Sequence, residues 1–520
     1  MTQTATETAA KTASSTPPSP AGASILDGVR RRLAPIEDRL DPYAWAAAII
    51  VTFLAAIVRL VNLGYPNQEI FDEVYYANDA NDMLSRGIEW DDKAGGPGYV
   101  VHPPLGKWMI GLGIKAFQYD AFGWRISAAV VGIISVLMIT RIARRMFGST
   151  VLGCAAGLLM AFDGMHFVLS RAALLDIFLM FFILAAFGTL ILDRDQRRRR
   201  WARFIEAGGD PSSRGRGARP PFAVPWWRLA TAVLMGCAAG VKWSALFMLP
   251  AFVILIMWWE VGARRTAGVR QPVVDAILDE IGWLLLCGVI IFGVYIATWS
   301  GWLLTDTGYY RHWLRDSGQA EPPILGALRN LYQYHDAAFG FHRQLADTHP
   351  YQSKPWQWLV LGRPVAFFFV KTIPCGQPDC SAEVVLLGTP VLWWSFLPAL
   401  AATLWFGIAR RDWRAAAILT MVAFALVPWF FFSNRTMFYF YALPAEPFLI
   451  LAVVFVLGAI MTVPAGQPKD ENRMLVGTVI AGVFVLLVAL NFAYFYPIFA
   501  GESLPTADWS RRMWLGRLWI

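Results

Sequence analysis

Blocks of about 20 consecutive apolar residues, separated by short basic segments, constrain this chain more than any other feature. In lipid, only a helix or a closed barrel satisfies its own backbone, and a helix of that length just crosses the hydrocarbon layer. Eleven spans are predicted, near residues 44–63, 123–142, 149–167, 172–192, 226–243, 244–261, 281–301, 385–408, 414–432, 440–462 and 475–497. A membrane β-barrel would instead show alternating strands of about ten residues. Composition agrees, with 57% of the 520 residues hydrophobic and 16% charged, against roughly 25% charged in a soluble domain. Intrinsic disorder, a secreted disulfide scaffold and a collagen-like polymer are excluded. The expected class is an all-α polytopic membrane protein.

Lys and Arg in short loops mark the cytoplasmic side. Arg30, Arg31, Arg32 and Arg39 precede the first span, and Arg141, Arg144 and Arg145 follow the second. The stretch 193–228, with ten arginines against four acids, follows the fourth. Arg264, Arg265 and Arg270 follow the sixth, Arg410, Arg411 and Arg414 the eighth, and Lys469 and Arg473 the tenth. Every group falls after an even number of spans, so the N-terminus is expected inside and the C-terminus outside. Residues 1–43 then form a basic cytoplasmic tail; its first 24, rich in Ala, Thr, Ser and Pro, read as disordered rather than as a targeting segment. An N-terminal transmembrane catalytic module covers 44–301 and includes an outer loop at 64–122. A large outer loop covers 302–384, C-terminal membrane helices cover 385–497, and an outer tail covers 498–520. The net charge of +8 sits mostly beside spans, which reads as topology and anionic membrane-lipid contact, not nucleic-acid binding.

The spans themselves read as nearly free of buried charge, and polar residues collect in the outer segments and at outer span ends. A carrier or channel concentrates them at mid-membrane, so the pattern favours an active site at the outer surface. Phe71-Asp72-Glu73 is the informative stretch of the first loop. Adjacent carboxylates project on different faces of a regular element, so both reach one pocket only from a loop or a helix start. There an ionised Asp suits the work of a general base toward a hydroxyl; a plain solvated loop is the alternative. His102-Pro103-Pro104 starts a helix, and Leu105, Trp108, Met109, Leu112 and Ala116 give 104–118 the spacing of an interfacial amphipathic helix. Arg59, Arg125, Arg171, Lys242 and Arg435 all fall at outer span ends. Each alone reads as snorkelling to lipid headgroups. Together they suit a shared phosphate ligand, which Arg grips with a fork.

These residues resemble those of the protein O-mannosyltransferase family, and more closely its shorter actinobacterial-type members. The motifs are Arg59, Phe71-Asp72-Glu73-Val74, His102-Pro103-Pro104-Leu105-Gly106-Lys107, Arg125, Ser170-Arg171-Ala172-Ala173-Leu174-Leu175-Asp176 and Val241-Lys242-Trp243. His349-Pro350-Tyr351-Gln352-Ser353-Lys354-Pro355-Trp356, then Arg435 with Tyr441-Ala442-Leu443-Pro444-Ala445, complete the set. The resemblance implies a GT-C glycosyltransferase fold and transfer of mannose from polyprenyl-phosphate-mannose to Ser or Thr of unfolded, exported polypeptides. It makes Asp72 and Glu73 the acidic catalytic pair and puts Arg125 and Arg59 on functional arginines. His102, Lys107, His349 and Tyr351 fall in substrate-facing loops by the same resemblance. The seventh-to-eighth loop is too short for the MIR domain of eukaryotic members, and Phe440-Tyr441 stands where a later motif is usually read with paired His.

The mechanism expected is inverting, with Asp72 as base and Arg125, aided by Arg59, Lys242, Arg171 or Arg435, offsetting the leaving phosphate. No cofactor and no metal are expected beyond the lipid-linked donor. Partners expected are that donor, the polypeptide acceptors and membrane lipids, with the protein translocon a further candidate. The location expected is the cell membrane, multi-pass, with the site extracytoplasmic. A transferase acting on glycolipid or cell-wall glycan shares these features, and a transporter is a second rival. Cys375 and Cys380 bracket Gly376-Gln377-Pro378-Asp379 in the long outer loop; the turn suits a disulfide, while two free thiols or half a zinc site remain alternatives.

Overall fold

In a computed structural model the described residues are 28–29, 32–33, 41–213, 218–371, 373–461 and 471–520. The predicted tail through residue 40, apart from those four residues, and Arg30, Arg31, Arg39, Arg214, Arg216 and Lys469 lie outside that set.

Each predicted span corresponds to an apolar helix. With the helices of the first loop included, the order is α1 (Ala44–Leu60), α2 (Glu73–Arg86), α3 (Leu105–Phe117), α4 (Ala121–Phe147), α5 (Thr150–Ala161), α6 (Gly164–Leu169), α7 (Leu175–Glu206) and α8 (Trp226–Val241). Then come α9 (Leu249–Ala267), α10 (Pro272–Thr298), α11 (Leu325–Gln344), α12 (Pro390–Arg410), α13 (Trp413–Leu426), α14 (Glu446–Met461) and α15 (Glu471–Ala500). Short 3-10 segments of six or seven residues extend α9, α13 and α14 at their loop-side ends, at Trp243–Met248, Val427–Phe432 and Tyr439–Ala445. Eight of these helices are long and apolar enough to cross a membrane, while α1, α5 and α8 are shorter apolar helices. Boundaries follow local chemistry. Asp120 caps α4 by accepting from Gly123 N at 2.7 Å, and Gly148 ends it in the left-handed region at φ 62°.

Burial sorts the helices. In Tyr439–Met461, 83% of the apolar window is inside the protein, against 11% in α10. Helices α7 and α14 therefore form the centre, while α10 and α15 expose apolar flanks such as Leu285, Phe292, Leu486 and Leu490, as lipid-facing helices do.

The expectation of spans nearly free of buried charge fails at the basic end of the bundle. Arg228 is buried among Asp193 at 2.7 Å, Glu260 at 2.9 Å and Glu280. Arg264 joins Glu260 and reaches Asp279 at 3.0 Å. Ion pairing makes this burial tolerable, because an isolated charge in such surroundings costs several kcal/mol, of order 2.5–3.5 even by insertion scales.

At the other end lie the two long loops. Helix α3 packs through Gly106, Ile110, Gly111, Gly113 and Ile114; of the predicted stripe, Leu105 and Met109 also pack against the core while Leu112 is exposed. A Cβ on Gly113 would stand 2.4 Å from the Gly123 carbonyl oxygen, so only glycine allows this approach. The loop end is not all-α as expected. A ribbon pairs β1 (Trp90–Asp91) with β2 (Gly96–Pro97), and a three-stranded antiparallel sheet runs β3 (Val365–Lys371), β4 (Cys380–Leu386), β5 (Ser503–Pro505), in that spatial order.

Candidate active site

Polar residues of the loop end form two groups, one closed and one open. The closed group centres on Glu73, the first residue of α2, whose side chain is fully buried. Arg125 of α4 meets it with a fork, Nε to Oε1 at 2.8 Å and Nη2 to Oε2 at 2.7 Å. Ala173 N donates to Oε1 at 2.8 Å and Ile70 N to Oε2 at 3.0 Å. Each oxygen thus accepts two hydrogen bonds, and the carboxylate has no free side. Glu73, expected in a catalytic pair with Asp72, is fully paired inside the protein in this structure.

Three arginines expected at the donor phosphate are likewise paired inside the protein. Arg125 spends its other donors on the carbonyls of Pro66 and Gln68, both at 2.8 Å. Arg171 donates to the carbonyls of Arg59, Val61 and Asn62 at 2.7, 2.7 and 2.8 Å. Arg59 donates to the Ala161 and Met160 carbonyls, each at 3.2 Å, and lies 2.8 Å from His166 Nδ1. All three are buried. The ends of α1 and α5 leave orphan carbonyls and the irregular stretch 61–68 leaves more. Backbone at membrane depth must find donors inside the protein, and these arginines supply them. Lys107, expected to face substrate, is buried against Glu89 at 2.6 Å and Asp79 at 3.4 Å.

The open group surrounds a cavity of about 590 Å³. Its lining includes Asp176, Lys242, His102, His342, Arg343 and Arg435 as polar groups, and Leu179, Phe247, Phe339, Trp429, Phe431 and Phe432 as apolar ones. Lys242 sits where α8 breaks into extended backbone (φ −148°, ψ 141°), and its Nζ pairs with Asp176 at 2.7 Å. Asp176 is in the first turn of α7, directly after the Ala173 turn that Glu73 grips. The closed group thus sets the position of the open one. His342 Nε2 donates to the Val101 carbonyl at 2.9 Å, so its Nδ1 accepts from Arg435 Nη2 at 3.2 Å. Burial and the Arg435 charge push His342 down to about 4. Burial, then the Lys242 charge, holds His102 well below its usual value. Both rings are neutral near pH 7.

Asp72 stands beside this cavity, close enough to Lys242 and Asp176 for both to act on its charge. It precedes α2 with helical backbone, and its carboxylate does not cap that helix. Burial pushes its carboxyl up to about 6, against the pull of Lys242 and with a further push from Asp176. The turn is held from behind. Phe71 takes a left-handed backbone, φ 49°, uncommon for a bulky residue and costing of order 1–3 kcal/mol. Its ring stacks on Phe367 at 4.7 Å and meets Phe438 and Phe440 edge-on at 5.8 Å. His349 and Tyr351 belong to that aromatic wall and not to the cavity: His349 lies 6.3 Å from Phe71 and accepts from Tyr351 N at 3.1 Å.

Of the residues read from sequence, the cavity region gathers Asp72, His102, Lys242 and Arg435. The reading passed over Asp176, although its motif was visible, and it missed His342 and Arg343. His335, Phe339 and His342 recur at helical spacing on α11, a signal that was available. Cys375 and Cys380 are joined as a disulfide with Cα atoms 6.1 Å apart, in the β3–β4 turn.

Residues 49–209 match the family model for dolichyl-phosphate-mannose-protein mannosyltransferase, and 327–519 match that for the C-terminal four-helix membrane region of protein O-mannosyltransferase. The polyprenol-phosphate-mannose–protein mannosyltransferase of Mycolicibacterium smegmatis is 39% identical, over 91% of this chain and 92% of its own. That of Mycobacterium tuberculosis is 38% identical over 92% of each. Among solved structures, the S. cerevisiae Pmt1–Pmt2 protein O-mannosyltransferase complex bound to its sugar donor aligns with a TM-score of 0.68 at 15% identity, covering 96% of this chain and 94% of that one. The fold is the GT-C glycosyltransferase fold, and the chain belongs to the protein O-mannosyltransferase family.

Proposed function

We propose that this chain transfers mannose from polyprenyl-phosphate-mannose to Ser or Thr hydroxyls of exported polypeptides, with inversion, at the extracytoplasmic face of the cell membrane. The observation that carries the reading is one juxtaposition. An uncapped aspartate, Asp72, adjoins a cavity lined by both cations and aromatic and aliphatic side chains. A lipid-linked sugar phosphate has that pattern of charge and grease. In this reading Lys242 and Arg435, with Arg343, hold the phosphate, and Phe339, Phe431 and Phe432 receive the first part of the polyprenyl chain. Asp72 accepts the acceptor hydroxyl proton as its oxygen attacks the anomeric carbon. The lipid phosphate departs from the opposite face toward the cations, which offset its charge without a metal ion. A carboxyl at about 6 is ionised near pH 7 and is a stronger base than an ordinary aspartate. Membrane lipids surround the bundle, and the translocon is a candidate partner for delivery of unfolded acceptors.

The test is to incubate membranes holding the full chain with labelled polyprenyl-phosphate-mannose and a Ser/Thr-rich peptide. Label in the peptide supports the reading. Label confined to lipid or glycan would transfer the site to a glycolipid or cell-wall acceptor.

A further inference from the structure

The sheet beside Asp72 has an unused edge. β4 pairs with β3 on one side and β5 on the other, and among the described residues no strand pairs with the far edge of β3. No backbone hydrogen bond from another described segment reaches Val365–Lys371 either. The strand reads Val-Ala-Phe-Phe-Phe-Val-Lys, with its one charge at the end. Phe369 and Lys371 are the exposed part of this strand, while Val365 and Phe367 are buried; where such an edge is open, unpaired N–H and C=O groups next to apolar side chains invite another strand. Burying that edge in lipid would leave its polar groups unsatisfied. An added strand solves both problems.

The edge is also continuous with the candidate site. Phe367 lies at an irregularity in the β3–β4 register, a place where a strand bends and redirects its side chains. Its ring stacks on Phe71, the residue before Asp72. Farther along β3, Phe369 is 42% exposed. The far side of the sheet is pinned by β5 and by the Cys375–Cys380 disulfide in the hairpin turn.

We propose that β3 is the acceptor-binding edge: an extended polypeptide adds to it as a fourth strand, so that the chain beyond Phe367 carries its hydroxyl residue past Asp72. The proposal rests on the polypeptide-mannosylating reading above. It explains how one site takes many sequences, because ladder hydrogen bonds use the backbone, while alternate side chains point away from the sheet. It also requires acceptors to be unfolded locally.

The experiment uses the full chain in membranes, labelled polyprenyl-phosphate-mannose, and short single-Thr peptides N-methylated at one backbone position each. Loss of a ladder bond raises peptide KM about three- to tenfold, and the pattern should alternate along the peptide, with donor KM unchanged. In parallel, Phe369→Cys is used to trap a cysteine-bearing acceptor peptide by disulfide formation. Alternation together with trapping supports the proposal. A flat N-methyl profile overturns it, and so does alternation with no trapping at position 369, which would put the peptide on another edge. Phe369→Cys linking two copies of the chain, and not the peptide, would assign the edge to self-association. If the unmethylated peptide takes no mannose while lipid or glycan does, it is the functional reading itself that fails, and this proposal falls with it.

Discussion

Two assemblies that each mix carboxylates with cations lie within one loop end and behave differently. Around Glu73, every donor of Arg125 and every acceptor of the carboxylate is matched inside the protein. Around Asp72, Lys242 has one carboxylate partner, Arg435 one imidazole, and the carboxylate of Asp72 does not cap its helix. Residue type does not separate the two assemblies. Spare hydrogen-bonding capacity facing a cavity does. The closed assembly resembles the buried network around Arg228 at the basic end more than it resembles the open one, whose Asp72 is the very next residue in the same motif. Chemistry is available where pairing is incomplete, and rigidity where it is complete.

The largest expected effect lies on the open side. Asp72→Asn keeps shape and removes the base, so kcat should fall about 10²- to 10⁴-fold with an unchanged melting temperature. Its wild-type signature is a pH profile. The ionised form is the active one, so kcat/KM should fall about tenfold per unit as pH drops below about 6, where an ordinary aspartate would hold its rate to near 4. Lys242 favours the ionised form, so Lys242→Gln should move that limb upward. A limb that stays near 4 in the wild type would put the proton elsewhere.

The closed side should break differently. Glu73→Gln leaves Arg125 buried without its counter-charge, and removing one partner of such a pair costs about 3–5 kcal/mol. The expected result is a lower melting temperature and poor recovery of folded protein. Donor KM in the surviving fraction should be near normal. A normally stable Glu73→Gln enzyme with donor affinity lost would return Glu73 and Arg125 to the substrate.

A smaller effect follows at Arg435. Its guanidinium lines the cavity and makes one contact with His342, so Arg435→Gln should leave stability intact. A charge-assisted contact contributes about 1.5–3 kcal/mol, which predicts donor KM raised roughly 10- to 100-fold. Unchanged donor KM, measured with peptide saturating, would remove Arg435 from the phosphate site.

Much of this architecture was legible in the sequence, because a bilayer imposes one length and one pattern on every span. The basic residues of alternate loops carried the expected topology, and Asp72, Lys242 and Arg435 were visible from position and motif. What was not legible depended on partners far away in sequence. Whether Arg125 faces a ligand depends on where the carbonyls of Pro66 and Gln68 land, 59 and 57 residues earlier. Adjacent carboxylates do project apart, yet nothing local said that Glu73 would be the one turned inward. The sheet escaped notice because β3 and β4 are separated by a turn inside a loop, and β5 arrives only after α15. The apolar run Val365–Val370, ahead of a Pro- and Gly-containing turn, was the available strand signal.

The disulfide gives the finest test of the contrast, because it belongs to neither polar assembly and touches the site only through the sheet. Cys375 and Cys380 are five residues apart in the turn between β3 and β4. Closing so short a ring contributes about 2 kcal/mol by the loop-entropy model, and that contribution is local. Cys380 pairs with Pro505, so the same residue anchors the turn and begins the ladder to β5. Cys375→Ser should therefore lower the melting temperature only slightly. It should leave donor KM and the acid limb of kcat/KM where they are, since Lys242 and Arg435 lie outside the sheet and Phe367, the sheet residue stacked on Phe71 beside Asp72, is at the opposite end of β3 from the disulfide turn. If β3 holds the acceptor, peptide KM alone should rise about two- to fivefold, as a frayed strand makes a weaker template. Equal shifts in donor and peptide KM would mean that the sheet and the cavity move together, and that the open site is built on both.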